Sequence, residues 1–226
     1  MKPDSWERPR NSHPKVLVLY GLYTHHYRLE KAVKALDPDA EIKISANWNA
    51  FPPTYAELLQ YDLVVMSDVP VGPDYANVMI GDTVRHAGTG LLCLGGMASY
   101  GGGQWRATRL MDVFPAKIPS PFDIKRHRRG VRPKPAAKHP AAENLRFPRQ
   151  ARFWWRHEVE PKPGTTVILK GSGKPLAIAS AVGKGRVIAV TATCHGEARK
   201  GQTEAWTTPA WQQFLTQTMK WLIERE

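Results

Sequence analysis

Short runs of almost entirely apolar residues, separated by segments with helical spacing, constrain the fold of this chain more than any other feature. Runs without polar alternation predict strands buried on both faces, as in a parallel sheet covered by helices. In the first half the predicted strands are 15–20, 41–45, 63–67 and 91–94, and the predicted helices are about 27–36 and 76–86. This order implies right-handed crossovers and a doubly wound sheet, whose ligands lie beyond the carboxyl ends of the strands. The residues after positions 20, 67, 94 and 193 are therefore expected around one crevice.

The second half of the chain departs from simple alternation and is rich in predicted strands. The strands expected there are 153–159, 165–170, 176–182 and 186–191. Gly183-Lys184-Gly185 predicts a hairpin turn between the last two. Apolar residues at helical spacing predict a closing helix over about 209–223 that packs on the sheet. The expected fold class is α/β, with a mainly parallel sheet, a β-rich C-terminal half and a closing helix.

Length and composition fit one globular domain. The 226 residues can bury a single core over 15–226, after a polar, proline-containing segment at 1–14 that is expected to be flexible. A run of about 18 apolar residues is absent, so we expect neither a spanning helix nor a membrane partner, and a cytoplasmic location is expected. Cys93 and Cys194 have neither disulfide nor zinc-ribbon spacing, which favours reduced structural thiols, although both follow or end predicted strands and could be neighbours.

The formal net charge of +12 is concentrated in one segment of the chain. The cations that follow one another without an intervening acid are Lys125, Arg126, Arg128, Arg129, Arg132, Lys134 and Lys138. Prolines at 133, 135 and 140 predict that 120–142 is an irregular loop rather than a basic helix. Two interpretations stay open: a solvated loop, or an arm that binds nucleic acid or another polyanion, an acidic partner or a neighbouring subunit.

The segment 88–103 predicts a buried strand followed by a glycine-rich turn that leads towards a helix. Its strand-to-turn junction resembles the nucleophile elbow of class I glutamine amidotransferases, whose pattern is apolar-Gly-apolar-Cys-x-Gly. Aligned on residues 92–97, the pattern places Gly95 at the position of the nucleophilic cysteine and Cys93 two residues earlier. Glycine has no side chain that can attack a carbonyl carbon. The resemblance therefore predicts the fold while glutamine hydrolysis is expected to be absent.

Further segments agree with this resemblance in the same order along the chain, namely 61–68, 183–190 and 207–214. The sequence is similar to the glutamine amidotransferase-like family and, more distantly, to the ThuA-like (trehalose-utilisation) proteins. The resemblance implies a flavodoxin-like α/β domain with a class I amidotransferase core. It also implies that His195 and Glu197 correspond to the His-x-Glu unit of the Cys-His-Glu triad. The alternative is an inherited loop whose histidine only caps or hydrogen-bonds.

Several other residues are expected at the crevice and are candidates for ligand contacts: His25, His26, Asp68, Gly96, Met97, Ser99 and Cys194. A set of His25 or His26 with His195 and Asp68 or Glu197 would suit zinc or another divalent ion. Because no His-x-x-x-His or Glu-x-x-His unit is present, neither a metal nor another cofactor is expected. The glycines at 101–103 either direct N–H groups at an anion or simply permit a tight turn.

Three function classes remain from the sequence. The leading hypothesis is an amidotransferase-like domain without the catalytic cysteine, which binds a small ligand or assembles as a homo-oligomer or with a partner protein. The second is a divergent hydrolase that uses His195, Glu197 and Asp68 with His25 or His26, on a sugar-like substrate by analogy with the ThuA-like proteins. The third is nucleic-acid or polyanion binding through the basic segment at 120–142.

Overall fold

A computed structural model describes residues 3, 5–22 and 24–224 of the chain. The strands are β1 Lys15–Tyr20, β2 Glu41–Ala46, β3 Leu63–Ser67, β4 Gly90–Leu94, β5 Ala116–Lys117, β6 Ile124–Val131, β7 Lys134–Pro135, β8 Ala151–His157, β9 Glu160–Pro161, β10 Thr166–Gly171, β11 Lys174–Val182, β12 Gly185–Val190 and β13 Thr203–Glu204. The helices are α1 Leu29–Leu36, α2 Tyr55–Leu58, α3 Asp74–Asp82 and α4 Pro209–Ile223, with a π-helical turn at Thr83–Ala87 and short 3-10 turns in the connections.

The main sheet has eight strands in the order β2-β1-β3-β4-β12-β11-β10-β7. The first five strands run parallel, and β11, β10 and β7 follow in antiparallel pairs. Strands β3 and β4 lie at the centre and are buried along their whole length, as expected for apolar runs covered on both faces. The two-residue turn between β11 and β12 confirms the predicted hairpin.

Helices cover the two faces of this sheet. Helices α1 and α4 pack on one face, where Trp211 and Phe214 join Leu92 in a buried cluster. Thr208 caps the start of α4 by accepting a hydrogen bond from the Trp211 N–H. On the opposite face, α3 and the 3-10 turns after β4 pack over Leu91 and Cys93. Cys93 and Cys194 are buried free thiols that belong to different clusters, so the structure separates the two cysteines that the sequence allowed to be neighbours.

A second, three-stranded sheet forms in the order β13-β8-β6 and contains the first part of the basic segment, in strand β6. The prediction of an irregular loop over 120–142 is wrong for 124–131, because these residues pair with β8 as strand β6. The prolines that suggested a loop begin only at position 133, and an edge strand accommodates a row of charged side chains. Lys125, Arg126, Arg128 and Arg129 are therefore exposed on a strand. Arg132 follows β6, and Lys134 lies in β7.

Two further regions differ from the predictions. The turn after β4 leads not to an α-helix but to 3-10 turns at Trp105–Ala107 and Arg109–Asp112. In the described part of 1–14, Arg8 Nη1 and Asn11 Nδ2 reach Asp62 at 3.3 Å and 2.9 Å, so this segment is anchored to the domain. In the parts of the chain that the structure describes, no helix combines the length and apolar character needed to cross a bilayer.

Candidate functional site

The candidate site lies where four parallel strands of the main sheet end. Tyr20 is in register with Ser67, Ser67 with Leu94, and Leu94 with Val190. Backbone hydrogen bonds continue past the strand ends, from Gly95 N to Val190 O and from Asp68 N to Leu94 O. The prediction that these four strand ends meet at one edge of the sheet is therefore confirmed. We call this region, formed by Asp68, Gly95, Gly96, His195 and Tyr27, the strand-end site.

Asp68 is the buried acidic group of the strand-end site. Its backbone has a left-handed φ of 49°, and its Oδ1 accepts a hydrogen bond of 2.7 Å from the Ala98 N–H. A Cβ on Gly96 would lie 2.0 Å from the Asp68 Cγ, and one on Gly21 would lie 1.9 Å from the Asp68 carbonyl oxygen, so both neighbours must be glycine. Within the described residues, Asp68 Oδ2 is buried and has no hydrogen-bond partner. Burial raises the pKa of Asp68 to about 6, although the Ala98 N–H acts in the opposite direction.

His195 faces this carboxylate. Its Nε2 lies 4.0 Å from Asp68 Oδ2, and its side chain is 12% exposed whereas that of Asp68 is 1% exposed. Burial, together with the smaller effects of His26 and His157, lowers the pKa of His195 to about 4. His195 is therefore neutral at pH 7 and can donate or accept a proton through Nε2. His25 and His26 lie in the 3-10 turn before α1, and the centres of their rings are 4.1 Å apart.

His157 occupies the space beside Gly95. A Cβ on Gly95 would lie 2.7 Å from His157 Cδ2 and 3.0 Å from Val190 O. His157 Nδ1 is 2.9 Å from Asp123 Oδ2, and Nε2 accepts a hydrogen bond from the Gly96 N–H at 3.1 Å. Asp123 and Gly96, which make these contacts, are both buried. Both nitrogens of the His157 imidazole therefore have polar partners. The ring occupies the space into which a side chain at residue 95 would project.

The second sheet delivers His157 to this position. After β12 the chain pairs with β8, since His157 N donates to Thr191 O and Thr193 N donates to Trp155 O. Asp123 precedes β6, which pairs Ile124 with His157. Sequence reasoning missed both members of the Asp123–His157 pair. The available signal was a histidine within a predicted buried strand, where its polar nitrogens need partners.

Tyr27 and Cys194 complete the buried side of the site. The Tyr27 hydroxyl donates to the Gly95 carbonyl oxygen, and burial raises the pKa of Tyr27 well above its usual range. Burial also raises the pKa of the Cys194 thiol, which neighbours Tyr27 and Asp68. Cys194 is therefore a protonated thiol at neutral pH, and thiols in that state are poor nucleophiles.

Comparison with known proteins places the fold in a family. The family model described as "Putative glutamine amidotransferase" matches residues 3–224. The chain belongs to this family. No curated protein sequence matches this glutamine amidotransferase-like chain.

Solved structures share its fold. Two cytoplasmic proteins of Salmonella typhimurium align over 94% of this chain and 100% of their own, at 19% and 18% identity and TM-scores of 0.79 and 0.78. A "Putative thua-like protein" from Parabacteroides merdae aligns over 94% of this chain and 90% of its own, at 13% identity and a TM-score of 0.63. A glutamine amidotransferase from Thermotoga maritima aligns over 80% of this chain and 75% of its own, at 11% identity and a TM-score of 0.50. At these identities the likeness concerns the fold.

The structure brings some of the predicted residues together and separates others. In this glutamine amidotransferase-like chain, Gly96 and Ser99 join the strand-end site, because Gly96 N donates to Ser99 Oγ at 2.7 Å. Met97 is 44% exposed at its edge. Glu197 is exposed and lines a different cavity with Arg126, so the carboxylate facing His195 is that of Asp68. His25 lines a cavity beside β1.

Among the described residues, the candidate metal ligands that the sequence suggested do not form a compact group of three. Within the described residues, the group of three ligand atoms lying within 4.8 Å of one another is His13, Asp37 and Asp39. His13 precedes β1, and Asp37 and Asp39 precede β2, so this group lies at the opposite end of the strands from the strand-end site. Asp68 and His195 are therefore a carboxylate–imidazole pair in a polar site, which suits proton exchange or hydrogen bonding to a ligand.

Proposed function

We propose that this chain is a glutamine amidotransferase-like domain that does not hydrolyse glutamine and that binds a small polar ligand at the strand-end site. The observation that carries the first part is the position of His157. Its ring fills the space beside Gly95, so the elbow has neither a nucleophile nor room for one. Cys194 does not replace it, because burial keeps its thiol protonated.

The second part depends on the Asp68–His195 pair. The distance of 4.0 Å between Asp68 Oδ2 and His195 Nε2 is too long for a direct hydrogen bond. A ligand hydroxyl or amide N–H placed between them would donate to the carboxylate and contact the imidazole. Such a ligand would supply a hydrogen bond to Asp68 Oδ2, which is buried and has no hydrogen-bond partner in the part of the chain that the structure describes. A polyhydroxy compound such as a monosaccharide has this chemistry.

The first experiment measures ammonia release from glutamine. The wild-type protein and Gly95→Cys are both expected to be inactive, because the cysteine would meet the His157 ring. A class I glutamine amidotransferase serves as the positive control. Ammonia release by the wild type that disappears in His195→Ala would refute the proposal.

The second experiment measures binding of glucose, galactose and mannose by two-dimensional NMR. We expect at least one of them to shift the backbone amide signals of Gly96 and Ala98, and the shifts to be lost in Asp68→Asn. His139→Gln is the matched control, since His139 is a partly buried histidine that contacts Trp221. Unchanged amide signals with all three sugars, or equal binding by Asp68→Asn, would contradict ligand binding at this pair.

A divergent hydrolase is the second candidate function. The observation that favours it is the opposite displacement of two neighbouring pKa values, upward for Asp68 and downward for His195. Such pairs often divide the roles of acid and base. Hydrolysis of p-nitrophenyl glycosides that is lost in Asp68→Asn would support this function, and inactivity with the whole series would reject it for glycosides.

Compartment and assembly are part of the same proposal. The Salmonella neighbours are described as cytoplasmic proteins, and we propose the same compartment for this chain. Assembly as a homo-oligomer stays a prediction. Sedimentation velocity at two protein concentrations tests it, since a monomer at both would contradict it.

A further inference from the structure

The residues that immediately follow His195 help to line a basic cavity. Its volume is about 340 Å³, and its lining residues are Arg126, Arg128, Trp154, Gly196, Glu197 and Arg199, with Ala198. The two arginines of β6, the indole of β8 and the segment after His195 therefore form one concave surface. Cavities that bind small molecules begin at about this size.

Two glycines pack against Trp154, and one of them, Gly196, lines the cavity. Gly196 has a φ of 97°, and a Cβ there would lie 2.8 Å from the Trp154 Cβ. Gly130 has a φ of 66°, and a Cβ there would lie 2.8 Å from the Arg152 Cβ and 3.1 Å from the Trp154 indole nitrogen. The Trp154 indole nitrogen is buried and has no hydrogen-bond partner among the described residues. The cavity is thus built on a fixed indole rather than on mobile surface side chains alone.

The charges of the cavity are unbalanced. Three guanidinium groups face one carboxylate, that of Glu197. Among the residues that the structure describes, no ion pair joins Arg126, Arg128 or Arg199 to a carboxylate. Arg126 lies 5.9 Å from the centre of the Trp155 ring. Guanidinium groups bind phosphate oxygens through paired N–H donors, and a bound anion would relieve their mutual repulsion.

We propose that this cavity binds the phosphate group of a small phosphorylated polyol, whose hydroxyl groups reach His195 and Asp68. The polyol part of this inference rests on the proposed function, whereas the anion site does not. Gly196 follows His195 directly, so the segment 195–199 contributes residues to both sites. The concave shape and the Glu197 carboxylate favour a single small anion over a continuous phosphate backbone.

The experiment is calorimetric titration with inorganic phosphate, glucose 6-phosphate and glucose at low salt. The wild type is expected to bind glucose 6-phosphate at least tenfold more tightly than either phosphate or glucose. Arg128→Gln and Arg199→Gln are each expected to weaken binding of both phosphate ligands by about tenfold or more, since hydrogen bonds between charged groups are lost. Arg109→Gln is the control, because Arg109 is an exposed arginine paired with Asp112 away from the cavity.

Glu197→Gln gives a gain-of-binding test that misfolding cannot imitate. Removal of the one carboxylate in the cavity is expected to tighten phosphate binding several-fold. His195→Gln is expected to leave inorganic phosphate binding unchanged and to reduce the advantage of glucose 6-phosphate. This variant separates the two proposals, because the anion site stands on phosphate binding alone and the proposed function on the His195-dependent part.

Several results would overturn the inference. One is the absence of phosphate binding by the wild type at low salt, and another is equal binding by the arginine variants. If glucose 6-phosphate bound no more tightly than phosphate, the link to His195 would be wrong. A fluorescent single-stranded oligonucleotide that bound more tightly than glucose 6-phosphate, and lost affinity in the same variants, would replace the small ligand with a nucleic acid.

Discussion

Replacement of Gly95 by alanine tests the packing of His157 at the strand-end site. The added Cβ would lie 2.7 Å from His157 Cδ2 and 3.0 Å from Val190 O. The ring cannot retreat freely, because Asp123 Oδ2 holds Nδ1 at 2.9 Å and the Gly96 N–H holds Nε2 at 3.1 Å. The substitution must therefore strain the core or break one of these hydrogen bonds.

The magnitude follows from three contributions. Overpacking of a core costs about 1–3 kcal/mol, and loss of a hydrogen bond to a charged group costs about 1.5–3 kcal/mol. Alanine also reduces the conformational freedom of the unfolded chain, which stabilises the folded protein by about 0.4–1 kcal/mol. Because strain and bond loss are alternative responses to the same contact, we expect Gly95→Ala to lower the free energy of unfolding by about 2 kcal/mol.

The assay is equilibrium unfolding in urea. Gly81→Ala is the matched control, because a Cβ there would lie no closer than 3.9 Å to another residue and the position is within helix α3. We expect this control to be neutral or slightly stabilising. In a His157→Ala background, Gly95→Ala should cost about half as much or less, because the ring is gone and Val190 O remains. Equal stability of Gly95→Ala and wild type would refute the steric argument.

Three further predictions concern other parts of the molecule. Burial raises the pKa of Asp68 from 3.8 to about 6, so the contribution of Asp68 to stability is present below about pH 4 and is lost as the pH rises to 6. The pKa of His195 is lowered, so its contribution to stability is present above pH 6.5 and is lost as the pH falls to about 4. His195→Gln removes the contribution of His195, so the urea midpoint of the variant should fall relative to that of the wild type as the pH rises from about 4 to 6.5. Parallel pH profiles of the two proteins would contradict the lowered pKa of His195. Cys93 and Cys194 should not react with a thiol reagent at pH 8 until urea unfolds the protein, because both thiols are buried with raised pKa values, and fast labelling of the native protein would disprove this. Gly130→Ala should cost about 1–3 kcal/mol in urea unfolding, because it combines a φ of 66° with a contact on Arg152, and an unchanged midpoint would show that β6 adjusts freely.

Much of the main sheet was predictable because its signals are local. Strands β1 and β3 have their predicted bounds, helix α4 has its predicted bounds, and the hairpin at Gly183 is confirmed. Uninterrupted apolar runs and helical spacing are properties of neighbouring residues, so they can be recognised in the sequence without knowledge of the tertiary structure. The meeting of Asp68 and His195 was also predictable, since both follow strands that end at one edge of a parallel sheet.

The Asp123–His157 pair was not predictable by the same reasoning. Its two members lie 34 positions apart, and β6 and β8 bring them together in a small antiparallel sheet. The charged sequence of β6 shows no apolar alternation, so the period of a strand is hidden there. Glu197 was assigned to His195 because the two are close in sequence, yet the chain turns at Gly196 and carries Glu197 into the basic cavity.

The sequence by itself determined the α/β class, the parallel core and the absence of a side chain at position 95, because these depend on residue type and short-range period. Only the tertiary structure decided what fills the space beside Gly95, which carboxylate faces His195 and which arginines share a cavity. Those outcomes depend on contacts between strands of different sheets, and side-chain spacing along the chain carries no information about them. Local sequence patterns therefore predict the fold, whereas the site depends on how the two sheets pack together.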